Sequence, residues 1–246
     1  MVTVLLSRRH RVARLQADLI ANMTHELRTP LCAIRLHAQT LQMGRINDQP
    51  ELARESIDTI VRETEWLEAV IDQVLTWRAA SRDRLEPDML SDNLRQSIEP
   101  AIARFQRMVS PGEVTFESCF SSELHVRHDS HGIQSIVLNL LVNAYKYTGN
   151  QKTIRLSLQD VDGKVELSVE DNGIGIPRNE LGRIFDPFYR VDSRLRGKAS
   201  GAGLGLAIVR HQVKKHDAEV FVESVENKGT RFLLLFTAST PSREAL

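Results

Sequence analysis

Between Ala13 and Leu41, small or apolar residues return in alternating steps of four and three: Ala13, Ala17, Ile20, Thr24, Leu27, Leu31, Ile34, Ala38 and Leu41. That spacing keeps one stripe of a helix apolar along its length. Gly44 ends the run, and Asn47, Asp48 and Pro50 mark a turn. A second set then repeats the pattern at Ile57, Ile60, Thr64, Leu67, Ile71, Val74 and Trp77. Two long amphipathic helices with a short connection predict an antiparallel hairpin. A lone hairpin leaves its seam half exposed, and the simplest cover is a second copy, giving a dimeric four-helix bundle. Trp66 and Trp77 read as packing residues.

The helical period breaks around Ser81–Glu86, with Arg82, Asp83, Arg84 and then Pro87. A mixed pattern follows. Ser91 or Asp92 can cap a helix to about Met108, and Asp129 or Ser130 a helix from His131 to about Tyr147. Strands are predicted at Glu113–Cys119, Glu123–Arg127, Thr153–Gln159 and Lys164–Val169, the last two joined through Asp162-Gly163. An irregular, glycine-rich stretch covers Asp171–Gly203. A helix from Leu204 to about His216 and strands at Glu219–Ser224 and Thr230–Phe236 complete the chain. The expected organisation is a helical hairpin over 1–80, a linker over 81–90, an α+β sandwich over 91–240 with helices on one face of a mostly antiparallel sheet, and a tail over 241–246.

Bulk properties narrow the setting. The 246 residues carry 32 Lys+Arg against 32 Asp+Glu, so there is no basic surplus for general nucleic-acid binding. Cys32 and Cys119 form no framework and fit a reducing compartment. No apolar run approaches the roughly 18 residues of a membrane span. Val2–Leu6 followed by Arg8, Arg9, His10, Arg11 and Arg14 has the order of the cytoplasmic end of a membrane helix, or of a basic start to a soluble one.

Chemistry concentrates in a few stretches. Asn22–Leu31 reads NMTHELRTPL and puts His25 beside Glu26, with Thr29 and Pro30 following. His25 lies one position past the seam residue Thr24, about 100° around the helix, so it sits beside the core and partly in water. Pro30 one turn on invites a bend. Asn139 and Asn143 share a helix face and offer hard oxygens suited to Mg²⁺, and Lys146 on the next turn can meet phosphate. Asp171-Asn-Gly173-Ile-Gly175-Ile176-Pro177 ends a strand, where an aspartate can accept from an adenine amino group and glycines admit a ligand to the backbone. Gly201-Ala-Gly203-Leu-Gly205-Leu206 runs into a helix N-terminus, which favours phosphate. Phe185–Arg190 between them reads as a lid. His125, His128 and His131 cross a strand-to-helix junction without supporting acids or thiols and do not read as metal ligands.

In that order the motifs resemble the cytoplasmic kinase core of bacterial sensor histidine kinases, from about Leu15 to Phe236. His25–Leu31 resembles the H box, Asn139–Thr148 the N box, Asp171–Pro177 and Gly201–Leu206 the two glycine boxes, and Phe185–Arg190 the F box. The resemblance implies a dimeric phosphotransfer hairpin and an ATP-binding domain of the Bergerat (GHKL) fold. It makes His25 the phospho-acceptor, Glu26 its base and Thr29 the residue that positions water for dephosphorylating a partner. It implies ATP and Mg²⁺, with Asn143 holding the metal. The nucleotide site it implies comprises Asn139, Asn143, Lys146, Tyr147, Asp171, Gly173, Gly175, Ile176, Gly201, Gly203, Leu204 and Gly205. It further implies phosphotransfer to an aspartate on a separate response-regulator receiver domain, and a membrane anchor upstream of residue 1. Two departures stand out: Asp217 and Ala218 replace the usual glycine pair, and Ala202 replaces a common Thr or Ser, removing one hydroxyl contact to phosphate. The alternatives are a degenerate kinase serving as an ATP-binding scaffold, and a gyrase-type ATPase of the wider fold group, which would lack the HELRTP hairpin.

Overall fold

The computed structural model describes residues 23–43, 49–80, 89–121, 124–191 and 201–240. Several sequence expectations lie outside them: the basic N-terminal stretch, seam positions Ala13, Ala17 and Ile20, the turn at Gly44–Asp48, the break at Ser81–Pro87, and the tail.

Helix α1 (23–42) continues through Pro30. Helix α2 (Pro50–Ala80) opens on a proline, whose missing N–H costs nothing at a first helical position, with Glu51 in its first turn and Arg78 in its last. The two helices meet at Ser56, which is buried, with His37 Nδ1 3.3 Å from Ser56 Oγ. The apolar seam is left open: Leu31, Ile57 and Ile71 are about half exposed, at 51%, 52% and 44%.

Strand β1 (Leu90–Asn93) pairs antiparallel with β3 (His125–His128). This pairing was not expected. Ser91 and Asp92 lie in the strand, and Asn93 caps α3 (Leu94–Met108) by accepting from the Arg95 amide at 3.0 Å. A four-residue strand whose partner stands over thirty positions away leaves no local signal. The remaining strands are β2 (Val114–Phe120), β4 (Lys152–Val161), β5 (Lys164–Asp171), β6 (Glu219–Val225) and β7 (Gly229–Thr237). They form one sheet in the order β2-β4-β5-β7-β6, with β2 and β4 parallel and every other pair antiparallel.

Alternation decides which face is covered. Ile154, Leu156 and Leu158 of β4 and Val165, Leu167 and Val169 of β5 are buried, as are Phe232, Leu234 and Phe236 of β7. They pack under α3, α4 (Ser130–Tyr147) and α5 (Gly205–Lys215). The other face carries cross-strand polar pairs such as Arg155 with Glu117 and Glu170. Asp129 is the α4 cap, accepting from the amides of His131 and Gly132. His128 is buried, its Nδ1 2.8 Å from the Val126 carbonyl and its Nε2 2.7 Å from Ser97 Oγ; burial lowers its pKa.

The two domains are in contact. Trp66 stacks at 5.6 Å on Tyr145 and donates from Nε1 to the Met108 carbonyl at 2.8 Å. Arg104 on α3 reaches Glu65, Glu68 and Asp72 on α2. Near the start of α1, Met23 and Trp77 pack with Phe188 against Ala202, Leu204 and Ile208. The two tryptophans are packing residues, and what they pack against is the second domain.

Candidate active site: a nucleotide cleft against the H box

The cleft is assembled at the C-terminal half of α4, where Asn139, Asn143 and Lys146 follow one another at helical spacing. Facing them, β5 ends at Asp171, whose Oδ1 accepts from the Gly173 amide at 2.8 Å. Two backbone N–H groups, those of Gly173 and Thr230, favour the charged carboxylate, yet burial dominates and pushes Asp171 up to about 6. Gly173 fits because a β-carbon there would stand 2.5 Å from the Tyr147 carbonyl oxygen. Gly175 has φ +64, and a β-carbon would meet the Val225 carbonyl at 2.1 Å. The Ile176 amide then donates to Ser224 Oγ at 2.8 Å, which sets that side chain on the wall. Asp171, Ile176, Ile184, Leu206 and Phe232 line a largely apolar cleft, closed on the helix side by Asn143 and Tyr147.

A polar end continues from it, lined by Asn143, Lys146, Arg190, Gly201, Gly203 and Gly205. Gly203, at φ +71, lets this loop lie on the backbone of Phe188, whose amide donates to the Gly203 carbonyl at 2.9 Å. A β-carbon on Gly205 would come within 3.0 Å of Asn139 Oδ1. Leu204 does not line the cleft: it is buried at the N-terminus of α5, facing the hairpin with Ala202. Ala202 packs there and also lines the polar end of the cleft. Within the F box, Phe185 packs edge-on to Phe232 at 6.4 Å, while Phe188 turns to Trp77 at 6.1 Å.

On α1, His25 is exposed and its neighbour Glu26 is buried. Glu26 Oε2 lies 3.1 Å from Lys146 Nζ, which also sits 5.5 Å above the Trp66 ring. Thr29 Oγ1 makes a long bond, 3.4 Å, to the His25 carbonyl one turn back. A further contact comes from α2, where Gln73 Nε2 donates to Asn139 Oδ1 at 2.8 Å while Asn139 Nδ2 donates to the Ser135 carbonyl. Sequence reading did not single out Gln73. Its signal was a second stripe on α2 (Trp66, Ala69, Gln73 and Trp77 in steps of three, four and four), partly hidden by the apolar seam.

Two family patterns match the chain. One, described as the His Kinase A (phospho-acceptor) domain, matches residues 15–78, and the other, the histidine kinase-, DNA gyrase B- and HSP90-like ATPase, matches residues 128–240. The chain belongs to the sensor histidine kinases. A relative in this family, sensor protein RprX of Bacteroides fragilis (strain YCH46), is 30% identical over 237 residues, covering 92% of this chain and 44% of RprX. Sensor protein kinase WalK of Staphylococcus aureus is 29% identical over 234 residues, covering 93% of this chain and 55% of WalK. The chain thus spans about half the length of these relatives. Among solved structures, full-length ShkA in complex with AMPPNP superposes with a TM-score of 0.56 at 25% identity, covering 90% of this chain and 46% of ShkA. The sensor-kinase fold, a helical region followed by a five-stranded GHKL sheet with helices, is the architecture expected from the sequence. Among the described residues no helix is long and apolar enough to cross a membrane.

Proposed function

We propose that this kinase core phosphorylates itself on His25 from ATP and passes the phosphoryl group to an aspartate of a response-regulator receiver domain. The observation that carries this reading is the contact between Lys146 and Glu26, which sets the polar end of the nucleotide cleft against the residue next to His25. Adenine takes the apolar end, with its amino group toward Asp171, and the phosphates take the end framed by Lys146 and the glycine loop. A ring nitrogen of His25 attacks the γ-phosphorus. The bond to the bridging oxygen breaks, ADP leaves with the electron pair, and Glu26 holds the imidazole proton. Phosphoryl transfer asks the protein mainly for position and charge neutralisation, and a shared boundary between cleft and H box serves both.

The residues present also fit Mg²⁺. The half-buried Asn143 carboxamide faces both ends of the cleft and suits a hard cation that keeps most of its waters. The ion would neutralise phosphate charge there. That ShkA was captured with AMPPNP supports the same ligand class for this chain.

The proposed division is a dimerising hairpin over 1–80, a linker over 81–90, the ATP-binding domain over 91–240 and a tail over 241–246. A seat on the cytoplasmic side of a membrane is part of the proposal and rests on family resemblance. With γ-labelled ATP, wild type acquires acid-labile, alkali-stable label and His25→Gln acquires none; label persisting in that variant removes His25 from the reaction, and a wild type that acquires none leaves the scaffold reading. Phosphatase activity toward the regulator is assigned to Thr29. Thr29→Ala keeps autophosphorylation and loses dephosphorylation of the phosphorylated regulator, and an unchanged rate takes Thr29 out of the mechanism.

A further inference from the structure

We infer that the γ-phosphoryl group is delivered in cis, to the His25 of the chain that binds the nucleotide. The inference rests on the kinase reading above and names which of the dimer's two histidines is the substrate.

Of the contacts that hold the nucleotide domain on its own hairpin, three adjoin the reacting end. Lys146 meets Glu26 of α1 at 3.1 Å, in a pair whose carboxylate side chain is only 7% exposed. Gln73 of α2 donates to Asn139 at 2.8 Å, one turn from Asn143. Trp77 and Met23 close on Phe188 and Ala202, the first bonded to the glycine loop that frames the phosphate end and the second part of it. A phosphate beside Lys146 is therefore beside Glu26 of the same chain, and His25 is the adjoining residue.

The second copy has a different place. The apolar residues left open on the hairpin include Leu31, Ile57 and Ile71, the seam read from the sequence, whereas Glu26 points away from solvent into its own nucleotide domain. A copy seated on the seam puts its own first helix at least one helix spacing farther away, about 8–10 Å between axes. In-line transfer needs reacting atoms about 3–3.5 Å apart. The partner's histidine could reach this cleft only if these three contacts broke, along with those of Trp66 and Arg104, and the domain re-docked across the bundle.

Two whole chains carrying different affinity tags test this, one with His25→Gln and one with Asn143→Ala. They are co-expressed, and the species holding both tags is isolated and incubated with Mg²⁺ and γ-labelled ATP. The expected result is label no higher than in either inactive parent. Label on the Asn143→Ala chain at about half the level of a doubly tagged wild type overturns the inference. A wild-type control without label would instead defeat the kinase reading itself, so the two failures are distinct. A second measurement does not depend on activity. In a chain with Cys32→Ser and Cys119→Ser, Gln73→Cys and Asn139→Cys are treated with a short bismaleimide. A cross-linked band at single-chain mass is expected; a band at twice that mass, or no link, overturns the inference.

Discussion

Asp171 is asked for two opposed things. To accept from an adenine amino group it must be ionised, yet its place at the end of β5 is dry enough to raise it to about 6 despite two amide donors. Nucleotide affinity should therefore be flat above pH 7 and weaken below about 6, approaching tenfold per unit, because only the carboxylate binds. A titration of ATP affinity against pH checks this, and an unchanged affinity at pH 5 removes Asp171 as the adenine acceptor. The same shift has a stability sign. A folded-state value above the unfolded one favours folding at low pH, and that contribution is lost as pH rises from about 4 through 6. Asp171→Asn should then stabilise the empty protein at pH 7, by at most about 3 kcal/mol, while losing nucleotide. Asp171, Asn143 and Lys146 were legible from residue type and spacing. Burial of Glu26 was not, because what covers it is a lysine 120 positions away.

At the scale of elements, the end of α5 shows what a departure from the family pattern means. Ala218 donates to the Val213 carbonyl at 3.1 Å and Asp217 to the Lys214 carbonyl at 3.3 Å, the two bonds of a Schellman motif. The motif puts Asp217 at φ +48, where the family's usual glycine carries no β-carbon penalty. Asp217→Gly is expected to stabilise by about 0.5–1 kcal/mol and leave nucleotide affinity unchanged, as thermal unfolding and ATP titration would report. Helices with strong periods and strands with clean alternation were legible to within a residue or two. β1 was not, since Leu90–Asn93 is a strand only through His125–His128. Helix α2 was half legible: its seam stood out, and the Trp66–Gln73–Trp77 stripe was absorbed into it because both share Trp77.

For the whole molecule, the hairpin is a surface with two jobs, one side carrying the nucleotide domain and the other an open apolar seam. A charge in that seam should separate the copies. Leu31→Asp is expected to shift the protein from dimer to monomer in sedimentation while its ATP affinity holds, since Leu31 touches no part of the cleft. A dimer unaffected by the change would place the interface elsewhere. The central claim is that the exposed imidazole on α1 is the end point of the γ-phosphate. The most direct measurement is site mapping by mass spectrometry after incubation with Mg²⁺ and ATP, with digestion kept neutral to alkaline so that phosphohistidine survives. The phosphate is predicted on the peptide that contains His25, on the imidazole, and absent when Asn143 is replaced by alanine. A phosphate found on any other residue, or a His25 peptide left unmodified in a chain that hydrolyses ATP, would contradict it.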